Sequence, residues 1–229
     1  MPNDASLIDY YAKRADEYER IYQKPERQAD LVALRRLCGD SLAGHDVLEI
    51  ACGTGYWTQP ASRTARSIVA THINEETLAV ARAKEYQCEV CFRRADAFNL
   101  ALLTGNEFTA GLAMHWWSHL RKSETRRFLD GYHRIFRPGA LLVFMDSRFV
   151  AGSNTPISRT DDEGNTYQRR RLQDGPEYEV LKNFPAEDEV RKMLTGSASE
   201  ICWTELRYYW FLTYRLAGKN ANCSQTGYL

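Results

Sequence analysis

No stretch of this 229-residue chain approaches the roughly 20 consecutive apolar residues that a membrane span needs. Neither sign of charge prevails: 30 Lys and Arg balance 30 Asp and Glu. That balance supplies no basic field for nucleic acid or an anionic membrane surface, so neither is expected as a partner. The opening stretch MPNDASLIDYYAKRADEYER lacks the basic and apolar segments of a secretory signal, which makes the cytoplasm the expected compartment. Cysteine is sparse and scattered: Cys38, Cys52, Cys88, Cys91, Cys202 and Cys223 read as reduced thiols, not a disulfide framework. Cys88 and Cys91 form one CxxC without a second ligand pair. In a strand their spacing puts them on opposite faces, so no metal site is expected. Repeats and low-complexity linkers are also missing.

What is present is a core-forming composition, with 44% hydrophobic residues. Leu7, Tyr10, Tyr11, Arg14, Tyr18 and Tyr22 form a stripe of helical period, and ERQADLVALRRLCG continues as a second helix ending near Gly39. Residues 1–40 are read together as a helical cap. From Asp46 onward, strands (DVLEIAC, SIVATHI, CEVCFRRAD, FTAGLAMHW, ALLVFMDS) alternate with helices (YWTQPASRTA, NEETLAVARAKEY, SETRRFLDGYHRIF). Asn74 is a plausible N-cap. The alternation predicts an α/β fold with a doubly wound, mainly parallel sheet. TYQRRRLQDGPEYEVLKNF then reads as a hairpin turning at Asp174-Gly175, inserted after strand five within residues 148–184. PAEDEVRKMLTG reads as a helix opening at Pro185, and SEICWTELRYYWFLTYRLA adds two strands for a total of seven. One domain over 1–217 and a loose tail over 218–229 complete the expected organisation.

The chemistry begins at VLEIACGTGYWT, residues 47–58. Glu49 ends an apolar run, and Gly53 and Gly55 follow in a turn where glycine permits positive φ and close approach to a ligand. A dinucleotide loop would carry a third glycine, and a phosphate-cradling Walker loop would continue Gly-Lys-Ser/Thr. Both continuations are absent. An anion such as Glu49 repels phosphate and attracts ammonium or sulfonium, so the pattern points to a cationic, phosphate-free nucleoside. A nicotinamide-dependent oxidoreductase is correspondingly disfavoured, and the neutral net charge disfavours a nucleic-acid methyltransferase.

At these residues the chain resembles the class I S-adenosylmethionine-dependent methyltransferases, whose Rossmann-like seven-stranded fold matches the element order. YYxxRAxEY, HWWSHL and RRLQDG…VLKNF resemble the small-molecule O-methyltransferase branch that includes phosphonate-methylating enzymes. The resemblance implies S-adenosyl-L-methionine as cofactor and S-adenosyl-L-homocysteine as product. It places Glu49, Gly53 and Gly55 at the methionine end, and Asp96 with Ala97 at the adenine. Tyr10 and Arg14 would close over the cofactor.

One position departs from the pattern. A carboxylate is expected where strand two ends, to accept both ribose hydroxyls, and His72 stands there, followed by Ile73. A neutral imidazole accepts one hydrogen bond where a carboxylate accepts two, a loss of roughly 1–3 kcal/mol. Either His72 binds the ribose in an unusual way, or the chain is a weakened, even catalytically silent, cofactor-binding module.

The acceptor side rests on MHWWSHL, where strand four ends. His119 and His115 are candidate bases, since an imidazole pKa near 6.5 suits proton abstraction at neutral pH. Trp116 is a candidate pocket wall. Arg171 and Lys182 of the insertion and Arg148 after strand five are candidate holders of an anionic substrate. The expected acceptor is a small molecule methylated on oxygen, with nitrogen as the alternative, acted on by a monomer or homodimer.

Overall fold

The computed structural model describes residues 15–100, 103, 108–171 and 177–218. Tyr10, Arg14, the Asp174-Gly175 turn and residues 219–229 lie outside the described residues. The described chain opens with a 3-10 helix, Ala15–Gln23, and a short 3-10 turn, Pro25–Arg27. Helix α1 follows at Gln28–Leu42. Its Leu31, Leu34, Cys38 and Leu42 are buried with sheet residues Val47, Ile68 and Phe211, so α1 is a layer of the core and not part of a cap. It also runs past Gly39, where the sequence predicts a stop.

Seven strands form the main sheet: β1 Asp46–Ile50, β2 Ser67–His72, β3 Glu89–Arg94, β4 Ala110–Met114, β5 Leu141–Ser147, β9 Ala198–Glu205 and β10 Tyr209–Leu216. Their order is β3-β2-β1-β4-β5-β10-β9. The first five are parallel, and β10 runs antiparallel to both β5 and β9. Helices α2 Thr58–Ser62, α3 Glu75–Arg82, α4 Thr125–His133 and α5 Glu187–Leu194 complete the α/β layering. The insertion is a separate three-stranded antiparallel sheet in the order β6-β7-β8, with β6 Arg159–Thr160, β7 Thr166–Arg171 and β8 Glu177–Leu181. The sequence predicts only the β7–β8 hairpin, because β6 is too short to display an alternation.

The apolar run of each central strand is divided between two cores. Leu48, Ala113, Phe144 and Trp210 point to the α4 side, while Val47, Leu112, Val143 and Phe211 point to the α1 side. A parallel sheet covered on both faces demands such near-continuous hydrophobic strands. Strand order reverses between β1 and β4, and the carboxyl ends of strands at such a switch point open a ligand crevice.

A glycine in a central strand marks close approach of a neighbour. At Gly111 of β4, an added Cβ would lie 2.5 Å from Tyr132 Oη and 2.7 Å from Leu142 Cδ1. The Tyr132 hydroxyl donates to the Leu48 carbonyl at 3.2 Å, bracing α4 on the sheet. Gly111→Ala is therefore expected to destabilise the protein by about 1–3 kcal/mol, as overpacking does. Urea denaturation would check it, and an unchanged midpoint would show that Tyr132 is free to move aside.

Candidate active site

Two chain reversals flank the switch point. After β1, Ala51 (φ 50°), Gly53 (φ 59°) and Gly55 (φ 78°) all take left-handed backbone. Gly55 serves packing: a Cβ there would sit 2.3 Å from Tyr86 Oη, which donates to the Ala81 carbonyl at 2.7 Å. Glu49 faces the turn from the end of β1, buried to 1% exposure. Its Oε2 accepts from Thr58 Oγ1 at 2.6 Å, while Oε1 is buried with no partner among the described residues. Burial pushes the carboxyl up to about 8. An acid so placed awaits a cation or donor to stabilise its ionised form.

At the end of β2, His72 Nδ1 accepts the Asn74 backbone N–H at 3.1 Å. Burial drives the ring down to about 4, so it is neutral and its one proton sits on Nε2. The sequence predicts an acceptor at this position; the structure presents a donor. The neighbouring Ile73 carbonyl accepts Arg94 Nε at 2.9 Å. Asp96 Oδ1 accepts the Phe98 N–H at 2.9 Å and so shapes the turn that carries Ala97. Trp116 packs edge-on against Phe98, 6.1 Å between centroids, and thus lies beside that turn.

The second reversal follows β4. His115 (φ 58°) turns the chain there, a conformation that costs roughly 1–2 kcal/mol, and its N–H is anchored on the Met145 carbonyl at 2.7 Å. Its Nδ1 faces Asp146 Oδ1 at 3.5 Å, and its Nε2 is buried without a partner among the described residues. Asp146, at 0% exposure, is the hub of the cluster. Oδ1 accepts Lys182 Nζ at 2.8 Å and the Ser147 N–H at 2.7 Å, and Oδ2 accepts the Ser118 N–H at 2.9 Å. Lys182 Nζ also donates to Ser118 Oγ at 2.5 Å. Burial alone would raise Asp146, but the Lys182 ammonium and the His115 ring outweigh it and hold the carboxyl well below the usual range. Burial lowers His115, with Lys182 and Arg27 adding to it against Asp146, so the ring is neutral with Nδ1–H toward the carboxylate.

The other predicted residues are distributed differently. His119 Nδ1 donates to the Leu181 carbonyl at 2.8 Å and ties the root of the insertion to the loop after β4. On β7, Arg169 and Arg171 are exposed, and half-buried Arg170 is the arginine whose charge is felt at His119 and Lys182. Arg148 donates to the Leu206 carbonyl at 2.7 Å and pairs with Glu205 at 2.8 Å, bracing the β9–β10 turn outside the cluster. Asp146 escaped the sequence reading, although it repeats the Glu49 signature of an acid closing a buried strand. The 3-10 helix Ala15–Gln23 lies over the glycine turn: Thr54 Oγ1 donates to Glu19 Oε1 at 2.7 Å, and Tyr22 stacks on Tyr56 at 3.6 Å.

With this geometry in place, the chain can be set beside known proteins. Residues 47–139 match a family described as "Methyltransferase domain". The DhpI–SAH complex shares 29% identity over 93% of this chain and 97% of that one, with a TM-score of 0.74. The fold of this chain is that of the class I S-adenosylmethionine-dependent methyltransferases. A DhpI–SAM–HEP complex is 28% identical to this chain, covering 93% of it and 99% of that chain, with a TM-score of 0.74. A probable S-adenosylmethionine-dependent methyltransferase of Mycolicibacterium smegmatis is 28% identical over 153 residues, 65% of this chain. The match spans 55% of that relative's own length. The PH0226 protein of Pyrococcus horikoshii OT3, 18% identical over 87% of this chain and 98% of that one with a TM-score of 0.67, shares the fold. The residues present fit S-adenosylmethionine: an orphaned buried carboxylate oxygen beside a glycine turn suits the cationic end of that cofactor.

Asp146→Asn would strand Lys182 as a buried, unpaired cation, with an expected loss of about 3–5 kcal/mol. Adding Lys182→Met should restore more than half of it. Urea unfolding of the four proteins closes the cycle, and simply additive losses would refute the coupling.

Proposed function

We propose that this chain moves a methyl group from S-adenosylmethionine to an oxygen of a small anionic or hydroxyl-bearing metabolite. The observation that carries the reading is His115 Nε2, a buried, unpartnered lone pair across the switch-point crevice from the glycine turn. Bound S-adenosylmethionine supplies a methyl group on a positively charged sulfur. Glu49, Gly53 and the turn around them hold its methionine end, His72 and Ile73 its ribose, and Asp96 with Ala97 its adenine. His115 Nε2 accepts the proton of the acceptor hydroxyl as oxygen is methylated, and Asp146 stabilises the resulting imidazolium through Nδ1–H. His119 positions the insertion, and Lys182 with Arg170 lends the pocket positive charge. DhpI, solved with SAM and HEP, supports a small-molecule acceptor.

The reading is tested by S-adenosylhomocysteine formation against a panel of small hydroxy acids and phosphonates. Turnover is expected with at least one, and His115→Asn should cut kcat by about 10²- to 10⁴-fold. A silent cofactor-binding module is the competing reading, favoured by the His72 donor. Cofactor uptake with no turnover of any acceptor would establish it.

Cofactor binding should also depend on pH in a set direction. With its carboxyl raised to about 8, ligand-free Glu49 is protonated at neutral pH. A cation beside it favours the carboxylate, so S-adenosylmethionine uptake releases a proton, and affinity climbs as pH rises toward about 8. Calorimetry in buffers of different ionisation enthalpy reads the proton release directly. Glu49→Gln should abolish it, and a wild type with no proton release would remove Glu49 from the cofactor site.

A further inference from the structure

Arg27 is a buried arginine that the methyl-transfer scheme leaves unused. It closes the short 3-10 turn before α1 and is 6% exposed. Its Nε donates to Ser153 Oγ at 3.0 Å and its Nη1 reaches Tyr209 Oη at 3.5 Å. Nη2 donates to no described atom. The guanidinium lies over the Tyr208 and Tyr209 rings, 5.3 and 5.4 Å from their centroids. Glu26, whose carboxyl feels the Arg27 charge, is linked to it by hydrogen bonds through Ser153, whose hydroxyl donates to Glu26 Oε1 at 2.8 Å. Asp30 is occupied by the Tyr208 N–H at 2.7 Å. No carboxylate lies within ion-pair distance of Arg27 among the described residues. Buried cations are ordinarily paired, because desolvation is costly unless a counter-charge offsets it.

The surroundings show which anion could supply that counter-charge. Tyr209 also packs edge-on against His115, with centroids 5.8 Å apart, so one ring joins Arg27 to the proton-accepting imidazole. The Arg27 charge acts on both His115 and Lys182. Lys24 adds a second ammonium nearby, donating to the Ser153 carbonyl. Lys182, by contrast, already has Asp146 as counter-ion. The cation with unspent donors is therefore Arg27, and its planar fork matches two oxygens of one acid group.

We infer that Arg27 anchors the anionic head of the acceptor, a small carboxylate or phosphonate, through Nη2 and the remaining Nη1 proton. The inference rests on the methyl-transfer reading and extends it, moving the acid-binding role from the insertion to the segment before α1. The test uses the whole chain loaded with S-adenosylhomocysteine and two probes, methylphosphonate and acetate, titrated by calorimetry. Wild type is expected to bind at least one, with affinity falling as salt rises, and Arg27→Met to bind it at least tenfold more weakly. Affinity of Arg27→Met for S-adenosylhomocysteine should stay within twofold of wild type. Arg27→Lys, which keeps the charge and loses the fork, should fall between the two in probe affinity. The probe should raise the Tm of wild type and leave that of Arg27→Met unmoved. Equal probe binding by wild type and Arg27→Met overturns the assignment, as does a wild type that binds neither probe. A wild type unable to bind S-adenosylhomocysteine would instead defeat the underlying methyl-transfer reading.

Discussion

One buried carboxylate organises the polar cluster where β4 and β5 end. Asp146 closes β5 and holds the Ser118 amide, the Lys182 ammonium and the His115 ring at once. Those groups come from the loop after β4, the root of the insertion and the end of β4. Without the carboxylate the insertion would lose the ion pair that ties Lys182 to β5. The buried ammonium would lose its counter-charge, and nothing would fix the tautomer of His115. A buried ion pair of this kind contributes little net stability over an apolar pair of equal size. Its effect is positional: it fixes which nitrogen of His115 carries the proton and which offers a lone pair.

The glycine turn after β1 faces a second buried acid in a different state. Glu49 also closes a buried strand, yet its carboxyl is raised where that of Asp146 is lowered. The difference lies in partners. Asp146 has an ammonium at 2.8 Å, while Glu49 has a single threonine hydroxyl and an unsatisfied oxygen. The first is a finished structural pair. The second leaves one buried carboxylate oxygen unsatisfied among the described residues. Left-handed backbone at Ala51 and His115 lies beside these two acids, so strain and unsatisfied polarity collect at the same switch point.

His72 separates this chain from the pattern it otherwise follows. A carboxylate there would accept two hydroxyl protons. The ring observed has spent its acceptor on the Asn74 amide and keeps one donor. On the proposed reading, a ribose hydroxyl would accept from that donor, one hydrogen bond worth about 1 kcal/mol net in place of two.

The sequence by itself determined the class of the fold. Apolar runs alternating with amphipathic stretches admit little except a doubly wound parallel sheet, and the E-x-x-x-G-x-G turn without a third glycine favoured a cationic nucleoside. Both are local signals, set by periodicity and by backbone freedom over a few residues. The tertiary structure decided what depends on distant segments meeting. It paired Asp146 with Lys182, 36 positions apart, turned Arg170 inward in place of Arg171, and took Arg148 away to Glu205. It made α1 part of the core, and it left Arg27 buried beside neutral partners. A single strand pattern shows that residues alternate, but only the packing of the insertion chooses which face meets the crevice. Whether a charge is paired, and hence whether it is structural or awaits a ligand, is a property of three-dimensional neighbours.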